Sequence, residues 1–124
     1  MSLHVNNLTV DCRDPKAVAD FWVAALGWSV IGRDEGGVMI APYTERRPGV
    51  FPVYFQSNPD EKRVKNRLHL DLAPDDQAAE VARLEALGAR RADIGQGDVT
   101  WVVMADVEDN EFCVLSSLPV EEAS

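Results

Sequence analysis

An internal repeat constrains the fold of this chain more than any other feature. The stretch Asn66–Leu72 alternates polar and apolar residues, as a strand does when one face is buried and the other is open. A turn and a helical stretch over Asp76–Leu87 follow it. The stretch Asn7–Cys12 alternates in the same way and leads into a second helical stretch over Lys16–Leu26, and each helix is followed by a glycine. The repeat predicts two similar modules.

Each module is predicted to continue with three more strands, which gives the order β-α-β-β-β twice. Asp14 followed by Pro15 predicts the start of the first helix, and Pro52 predicts that the strand containing it lies at a sheet edge or a bulge. The expected strands are 5–12, 28–33, 38–41, 50–56, 68–72, 89–94, 99–106 and 111–117. We therefore predict one α+β domain over 1–124, made of module 4–57 and module 66–118 joined by linker 58–65.

Composition excludes several classes of function. A net charge of −9 repels phosphate backbones and argues against a nucleic-acid partner. No apolar run is long enough to span a membrane, and no basic leader with an apolar segment marks export. We therefore expect no membrane partner. Two cysteines do not make a disulfide framework, so we expect a reduced, cytoplasmic protein.

Strand phase predicts which side chains face a shared cavity. One helix covers one face of each sheet, so two modules can place their open faces together and enclose a cavity. Leu68, Leu70 and Leu72 are expected under the second helix, as are Phe112 and Val114. The polar or aromatic residues expected in the cavity are Asn7, Thr9, Asp11, Tyr54, Gln56, His69, Asp71, Trp101, Glu111 and Cys113.

His69 and Asp71 are the candidate catalytic pair. They are two residues apart on one strand face, and a carboxylate beside a histidine orients its ring as a general base requires. In the alternative, Asp71 pairs with Arg67 or Lys65 and His69 is a hydrogen-bonded lining residue. Both interpretations stay open at this level.

Four motifs carry a resemblance to a known superfamily. They are Thr9–Cys12, Ala19–Trp22 with Leu26–Trp28, Lys65–Leu72, and Asp106–Leu115. Together with the doubled β-α-β-β-β order, they resemble the vicinal oxygen chelate superfamily over about Val5 to Ser117. That superfamily includes glyoxalase I, extradiol dioxygenases, and fosfomycin- and bleomycin-resistance proteins, and the resemblance is strongest to small glyoxalase-like domain proteins. In the last motif, Val107 stands where proline is usual and Asp109 where glycine is usual.

The resemblance implies four metal-ligand positions. They fall on Asn7, His69, Cys113, and either Tyr54 or Gln56, with His69 matching Asn7 and Gly88 matching Gly27 between the modules. Imidazoles and carboxylates are the usual ligands of divalent ions, and this set offers one imidazole. Cysteine and histidine together suit zinc, but two strong ligands rarely suffice. We therefore expect no cofactor, with a divalent metal at His69, Asn7, Gln56 and Cys113 as the alternative.

The expected function is small-molecule binding by a homodimer without a complete metal site. One alternative is a metal-dependent lyase or isomerase similar to glyoxalase I, and another is a resistance protein that sequesters a drug. The sequence does not identify the ligand.

Overall fold

The chain folds into two compact units, one on each side of the junction between Lys62 and Arg63. The structure is a computed structural model that describes residues 3–45, 47 and 49–116. Each unit has one helix and a four-stranded mixed sheet, so the predicted α+β class and β-α-β-β-β order are confirmed. The junction lies inside the predicted linker 58–65. The union of both modules in a single domain, and the cavity between them, stay predictions.

The first unit has long strands and a well-capped helix. Its elements are β1 (Leu8–Cys12), α1 (Pro15–Leu26), β2 (Ser29–Asp34), β3 (Gly37–Ala41) and β4 (Val53–Ser57). The sheet order is β1-β4-β3-β2, with β1 and β4 parallel and the other pairs antiparallel. Asp14 Oδ1 accepts the Ala17 N–H at 3.1 Å, and Gly27 ends α1 at φ 70°, so both predicted caps are confirmed.

The core of the first unit lies between α1 and its sheet. Apolar residues recur along α1 at helical spacing and are buried, as the sequence predicts. The rings of Phe21 and Trp22 meet edge to face with centroids 5.1 Å apart, which makes Trp22 a core residue. Alternate residues of β4, Val53 and Phe55, are buried as predicted.

Pro52 does not place β4 at an edge of the sheet. β4 begins one residue later, at Val53, and lies between β1 and β3, so the prediction of an edge or a bulge there is wrong. The only backbone bond that proline cannot make is donation from its nitrogen, and Pro52 avoids that loss by preceding the strand. Its carbonyl oxygen accepts the Leu8 N–H at 3.0 Å.

The second unit has shorter strands and a shorter helix. Its elements are β5 (Asp71–Leu72), α2 (Gln77–Ala86), β6 (Arg90–Arg91), β7 (Val102–Ala105) and β8 (Glu111–Val114). The sheet order is β5-β8-β7-β6, again with a parallel pair, β5 and β8, and two antiparallel pairs. Asp76 caps α2 by accepting the Ala79 N–H at 3.1 Å. Leu87, rather than Gly88, is the C-cap residue.

The prediction of a long strand with buried leucines before α2 is wrong. Only Asp71 and Leu72 form β5, and Leu68 and Leu70 are 82% and 37% exposed. The physical reason is the placement of α2, which buries only Val81 and Leu84 and packs mainly against β6 and β8, so it does not cover both leucines. Phe112 and Val114 of β8 are buried as expected.

Part of the predicted last strand lies outside the described residues. The sequence extends that strand to 117 and the second module to 118, whereas β8 ends at Val114 and the description ends at 116. Among the described residues, no helix is long and apolar enough to cross a membrane.

Candidate functional site

The second unit places three reactive side chains together on one sheet face. In the parallel pair of β5 and β8, Asp71 lies beside Cys113, and the antiparallel partner of Cys113 in β7 is Val103. Residues paired in register share a face of a sheet, opposite to the face that carries Phe112 and Val114. His69 is two residues before Asp71 and contacts it. The alternation of the sequence therefore gives the correct face even where the strand is short.

His69 and Asp71 form a solvent-accessible pair. His69 Nδ1 lies 3.2 Å from Asp71 Oδ1, and the two side chains are 34% and 50% exposed. When Nδ1–H donates to the carboxylate, Nε2 keeps its lone pair and is available as a base or a ligand. Of the two interpretations of Asp71, the geometry favours the one in which it orients His69.

Cys113 is a buried thiol held in its protonated form. Burial raises the pKa of the Cys113 thiol, and the negative charge of Asp71 and a hydrogen bond from the thiol to Asp71 raise it further, while the positive charge of Lys65 opposes them. A protonated thiol is a poor nucleophile. Cys113 is therefore not an activated nucleophile.

Glu111 holds the segment that leads to His69. The Glu111 side chain is buried, and its Oε1 accepts the Asn66 N–H at 3.0 Å. The Asn66 amide donates to Asn110 Oδ1 at 2.9 Å, and Asn110 donates to both carboxylate oxygens of Asp106. This network ties the chain before His69 to the turn between β7 and β8, and it gives Glu111 a structural role beside the predicted ligand contact.

The turn that follows β7 requires an unusual backbone conformation at Asp109. Its φ is 67°, the region that glycine adopts without strain, and it occupies the position where the resembling motif has glycine. Asp106 Oδ1 stabilises the turn by accepting the N–H groups of Glu108 and Asn110. The Asp109 carboxylate also lies 2.8 Å from Arg90.

The first unit presents a separate polar face. Thr9 and Asp11 are exposed on β1, and their partners in register on β4 are Tyr54 and Gln56. Asn7 lies just before β1 and donates from Nδ2 to Thr9 Oγ1 at 2.8 Å. The strand phase predicted for these five residues is thus the observed one.

Asp34 is a member of this face that the sequence analysis missed. Tyr54 donates its hydroxyl to Asp34 Oδ1 at 2.7 Å, and the same oxygen accepts the N–H groups of Gly36 and Gly37. These hydrogen bonds, that from Tyr54 first, lower the pKa of Asp34, and the bond to Asp34 raises the pKa of the Tyr54 phenol. The available signal was an aspartate at the start of the predicted hairpin turn Asp34-Glu35-Gly36-Gly37, two residues before the first glycine.

Trp101 is the aromatic candidate of the second unit. It precedes β7 by one residue and is 40% exposed, which leaves a ring surface open to a ligand. In the described part of the chain, every buried polar side-chain atom has a hydrogen-bond partner. Burial alone therefore does not require a ligand, and the accessible groups decide what can bind.

Strand register decides between Tyr54 and Gln56 as the fourth family position. The capping aspartates of the two helices are 62 positions apart (76 − 14), as are His69 and Asn7 (69 − 7). On that correspondence Asp71 matches Thr9. Tyr54, which pairs with Thr9, then matches Cys113, which pairs with Asp71. The four positions are Asn7, Tyr54, His69 and Cys113.

These four side chains do not fit the divalent metal that the superfamily resemblance implies. Within the first unit, the Tyr54 hydroxyl is bound to Asp34, and Asn7 Oδ1 accepts a hydrogen bond from Asn6 at 2.8 Å. Neither a neutral phenol nor a neutral amide compensates the charge of a metal ion. We derive no chemical step through a metal at these four positions.

Each unit has one helix on a four-stranded mixed sheet, and this doubled arrangement is matched by a known family. The family described as "Glyoxalase-like domain" matches residues 7–115. The chain belongs to this family, as its sequence motifs indicate. No curated protein shows significant sequence similarity to the chain.

Solved structures with the same fold cover nearly the whole chain. A glyoxalase/bleomycin resistance protein/dioxygenase family enzyme from Burkholderia phytofirmans is 18% identical, with a TM-score of 0.69 and coverage of 91% of this chain and 98% of that one. A mutant of the fosfomycin resistance protein FosX from Listeria monocytogenes, complexed with Mn(II) and 1S,2S-dihydroxypropylphosphonic acid, is 13% identical, with a TM-score of 0.68 and coverage of 95% and 94%. A bleomycin-binding protein complexed with bleomycin is 15% identical, with a TM-score of 0.57 and coverage of 92% and 98%. At these identities the likeness shows the fold alone.

Proposed function

We propose that this protein binds a small polar organic molecule against the face of its second unit that carries His69. The observation that carries the proposal is the accessible His69–Asp71 pair, which offers one oriented ring nitrogen to a ligand. Structural neighbours that bind bleomycin or a phosphonate support the same class of function.

Each residue of the second unit has a defined part in this proposal. His69 Nε2 accepts a proton or a hydrogen bond from a ligand hydroxyl or amine, because Asp71 holds Nδ1–H. Trp101 offers a ring surface for stacking, and Asp71 is held beside Cys113 by the pairing of β5 with β8. In the first unit, Asn7, Thr9, Asp11, Tyr54 and Gln56 remain candidate ligand contacts through their shared face.

A measurement of turnover distinguishes two forms of this function, catalysis and sequestration. A lyase or isomerase needs a base that removes a proton from a carbon acid, and His69 Nε2 is the candidate for that base. A resistance protein that sequesters a drug, as the bleomycin-binding neighbour suggests, binds its ligand stoichiometrically and releases it unchanged. Recovery of unaltered ligand from the complex selects sequestration over catalysis.

The test compares two histidine variants in the presence of a metal chelator. His69→Ala removes an accessible group, so its effect on stability is expected within about 0.5 kcal/mol. For a panel of small polar organic compounds, any ligand that stabilises the native protein should lose its thermal shift in His69→Ala and keep it in His4→Ala. An equal shift in both variants, or unfolding of His69→Ala, would refute the proposal.

The proposal includes a cytoplasmic location and a homodimeric assembly. Cys12 and Cys113 are both buried and form no disulfide in the described part of the chain, which supports a protein from a reducing compartment. Exposed apolar side chains, including Leu3, Val5 and Leu68, favour a second copy as partner. Light scattering of the native protein should give twice the chain mass, and a monomer at micromolar concentration would contradict the dimer.

A further inference from the structure

The segment that leads to His69 carries cations that lack a carboxylate partner. Elsewhere in the second unit, Arg83, Arg90 and Arg91 each lie within 4.0 Å of a carboxylate oxygen. Among the residues that the structure describes, the cations before His69 have no such partner, and all are exposed: Arg63, Lys65 and Arg67. Most of a surface with a net charge of −9 repels an anion, whereas this segment attracts one.

The ammonium group of Lys65 acts on the face that carries His69. Its positive charge opposes the rise in the pKa of the Cys113 thiol, as a cation near that sulfur does. The register partner of Cys113 is Asp71, which contacts His69. Lys65 Nζ donates to the Asn66 carbonyl oxygen at 3.0 Å and keeps its other N–H donors for a ligand.

Hydrogen bonds at both ends fix the backbone of this segment. The Asn66 N–H donates to the buried Glu111 carboxylate at 3.0 Å, and the Leu70 carbonyl oxygen accepts the Cys113 N–H at 2.9 Å. Arg67 lies between these two bonds. A cation on a fixed backbone loses less conformational freedom when it binds a ligand, so the segment is suited to recognition.

We propose that the ligand of this face is a small hydroxy acid, whose anionic group binds Lys65 and Arg67 and whose hydroxyl donates to His69 Nε2. This inference rests on the proposed function and names the chemical class of its ligand. The guanidinium fork of arginine binds two acid oxygens at once, and an ammonium adds a point charge. Two residues of chain separate Arg67 from His69 by at most about 7 Å between Cα atoms, which suits a ligand of a few carbon atoms.

The charge of Asp71 determines which end of the ligand meets His69. Asp71 Oδ1 lies 3.2 Å from His69 Nδ1, so a second carboxylate at the imidazole would be repelled. With Nδ1–H bound to Asp71, Nε2 is an acceptor, which a hydroxyl satisfies and a carboxylate does not. The face therefore favours a molecule with separate anionic and donor groups over a simple anion such as inorganic phosphate.

The test compares hydroxy acids with their neutral amides. Labelled protein is titrated at neutral pH, with a metal chelator present, and followed by NMR; the probes are mandelate with mandelamide and lactate with lactamide. Each amide keeps the hydroxyl and the shape of its acid but loses the charge. At least one acid should bind about fivefold or more tightly than its amide, and added salt should weaken only the acid.

Variants of the two cations locate the anionic group. Lys65→Gln and Arg67→Gln should each weaken binding of the acid about threefold or more, and together about tenfold, with no change for the amide. Arg91→Gln removes the same charge from β6, at the opposite edge of the sheet from β5, and should leave the affinity unchanged. This control separates a local contact from an effect of net charge.

The possible outcomes distinguish this inference from the proposed function. Equal affinity for acid and amide, with both lost in His69→Ala, would overturn the hydroxy acid and leave the proposed function in place. Absence of binding by both acids, or equal losses in Lys65→Gln and Arg91→Gln, would also overturn the inference. An affinity for the acid that is unchanged in His69→Ala would refute the proposed function, and the inference would fail with it.

Discussion

Replacement of Gln77 by glutamate sets two electrostatic effects against each other. Gln77 is the first residue of α2, and its Nε2 donates to the carbonyl oxygens of Thr100 at 2.9 Å and Val114 at 3.1 Å. A negative charge in the first turn stabilises a helix by about 0.3–1 kcal/mol. A carboxylate, however, has no donor and would face two oxygens.

The lost donors outweigh the helix dipole in this position. Val114 is a buried residue, and a carboxylate facing its carbonyl oxygen in place of a donor costs about 1–3 kcal/mol, with about 0.5 kcal/mol more from the exposed contact to Thr100. After subtraction of the dipole term, Gln77→Glu should be less stable than the parent by about 0.5–3 kcal/mol. For a chain of this size that lowers the melting temperature by roughly 2–15 °C.

The assay is urea or thermal unfolding of Gln77→Glu beside Ala78→Glu. Ala78 is exposed at the next position of the same turn, so Ala78→Glu gains the dipole term without losing a donor. The carbonyl oxygens raise the pKa of the introduced Gln77→Glu carboxyl above its unfolded value of about 4.3. Its destabilisation should thus be complete at neutral pH and fade as pH falls through that raised pKa. A Gln77→Glu variant as stable as the parent, or as Ala78→Glu, would refute the reasoning.

Three further predictions concern the turn after β7, the segment before His69, and the thiol. Asp109→Gly and Asp109→Ala both lose the Arg90 ion pair, so their difference in stability reports the backbone strain alone. Because residue 109 has a φ of 67°, Asp109→Gly should be about 1 kcal/mol more stable than Asp109→Ala in urea unfolding. Equal stabilities would contradict the strain. Glu111→Ala removes the acceptor of the Asn66 backbone N–H, so hydrogen exchange of that N–H should become about tenfold faster or more. Glu111→Gln keeps an acceptor and should leave the exchange rate unchanged. Equal exchange rates in the two variants would refute this prediction. Asp71→Asn removes a negative charge that raises the pKa of Cys113. In a Cys12→Ala background with chelator, it should therefore lower that pKa and speed alkylation of Cys113 at mildly alkaline pH. An unchanged dependence of the alkylation rate on pH would show that burial alone raises the pKa. Since the folded pKa of Cys113 is raised, its contribution to stability is complete below the unfolded thiol pKa of about 8.5 and is lost as pH rises through the folded value.

Local sequence signals were sufficient for the class of fold and the position of each helix. The caps at Asp14 and Asp76 and the turn glycines depend on neighbours within four residues, so they can be recognised without the rest of the chain. Alternation gave the correct faces of β1, β4 and β8 because a side chain in a strand has only two directions.

Contacts between distant segments determined the parts that sequence patterns placed wrongly or left open. The Leu68 and Leu70 alternation predicted burial, but burial requires a partner surface, and α2 packs mainly against β6 and β8 instead. The choice of Tyr54 over Gln56 needed the pairing of β1 with β4, and the Asp71–Cys113 contact needed the pairing of β5 with β8. Register is a non-local property, because a shift by one residue exchanges the two faces without any change in local preference.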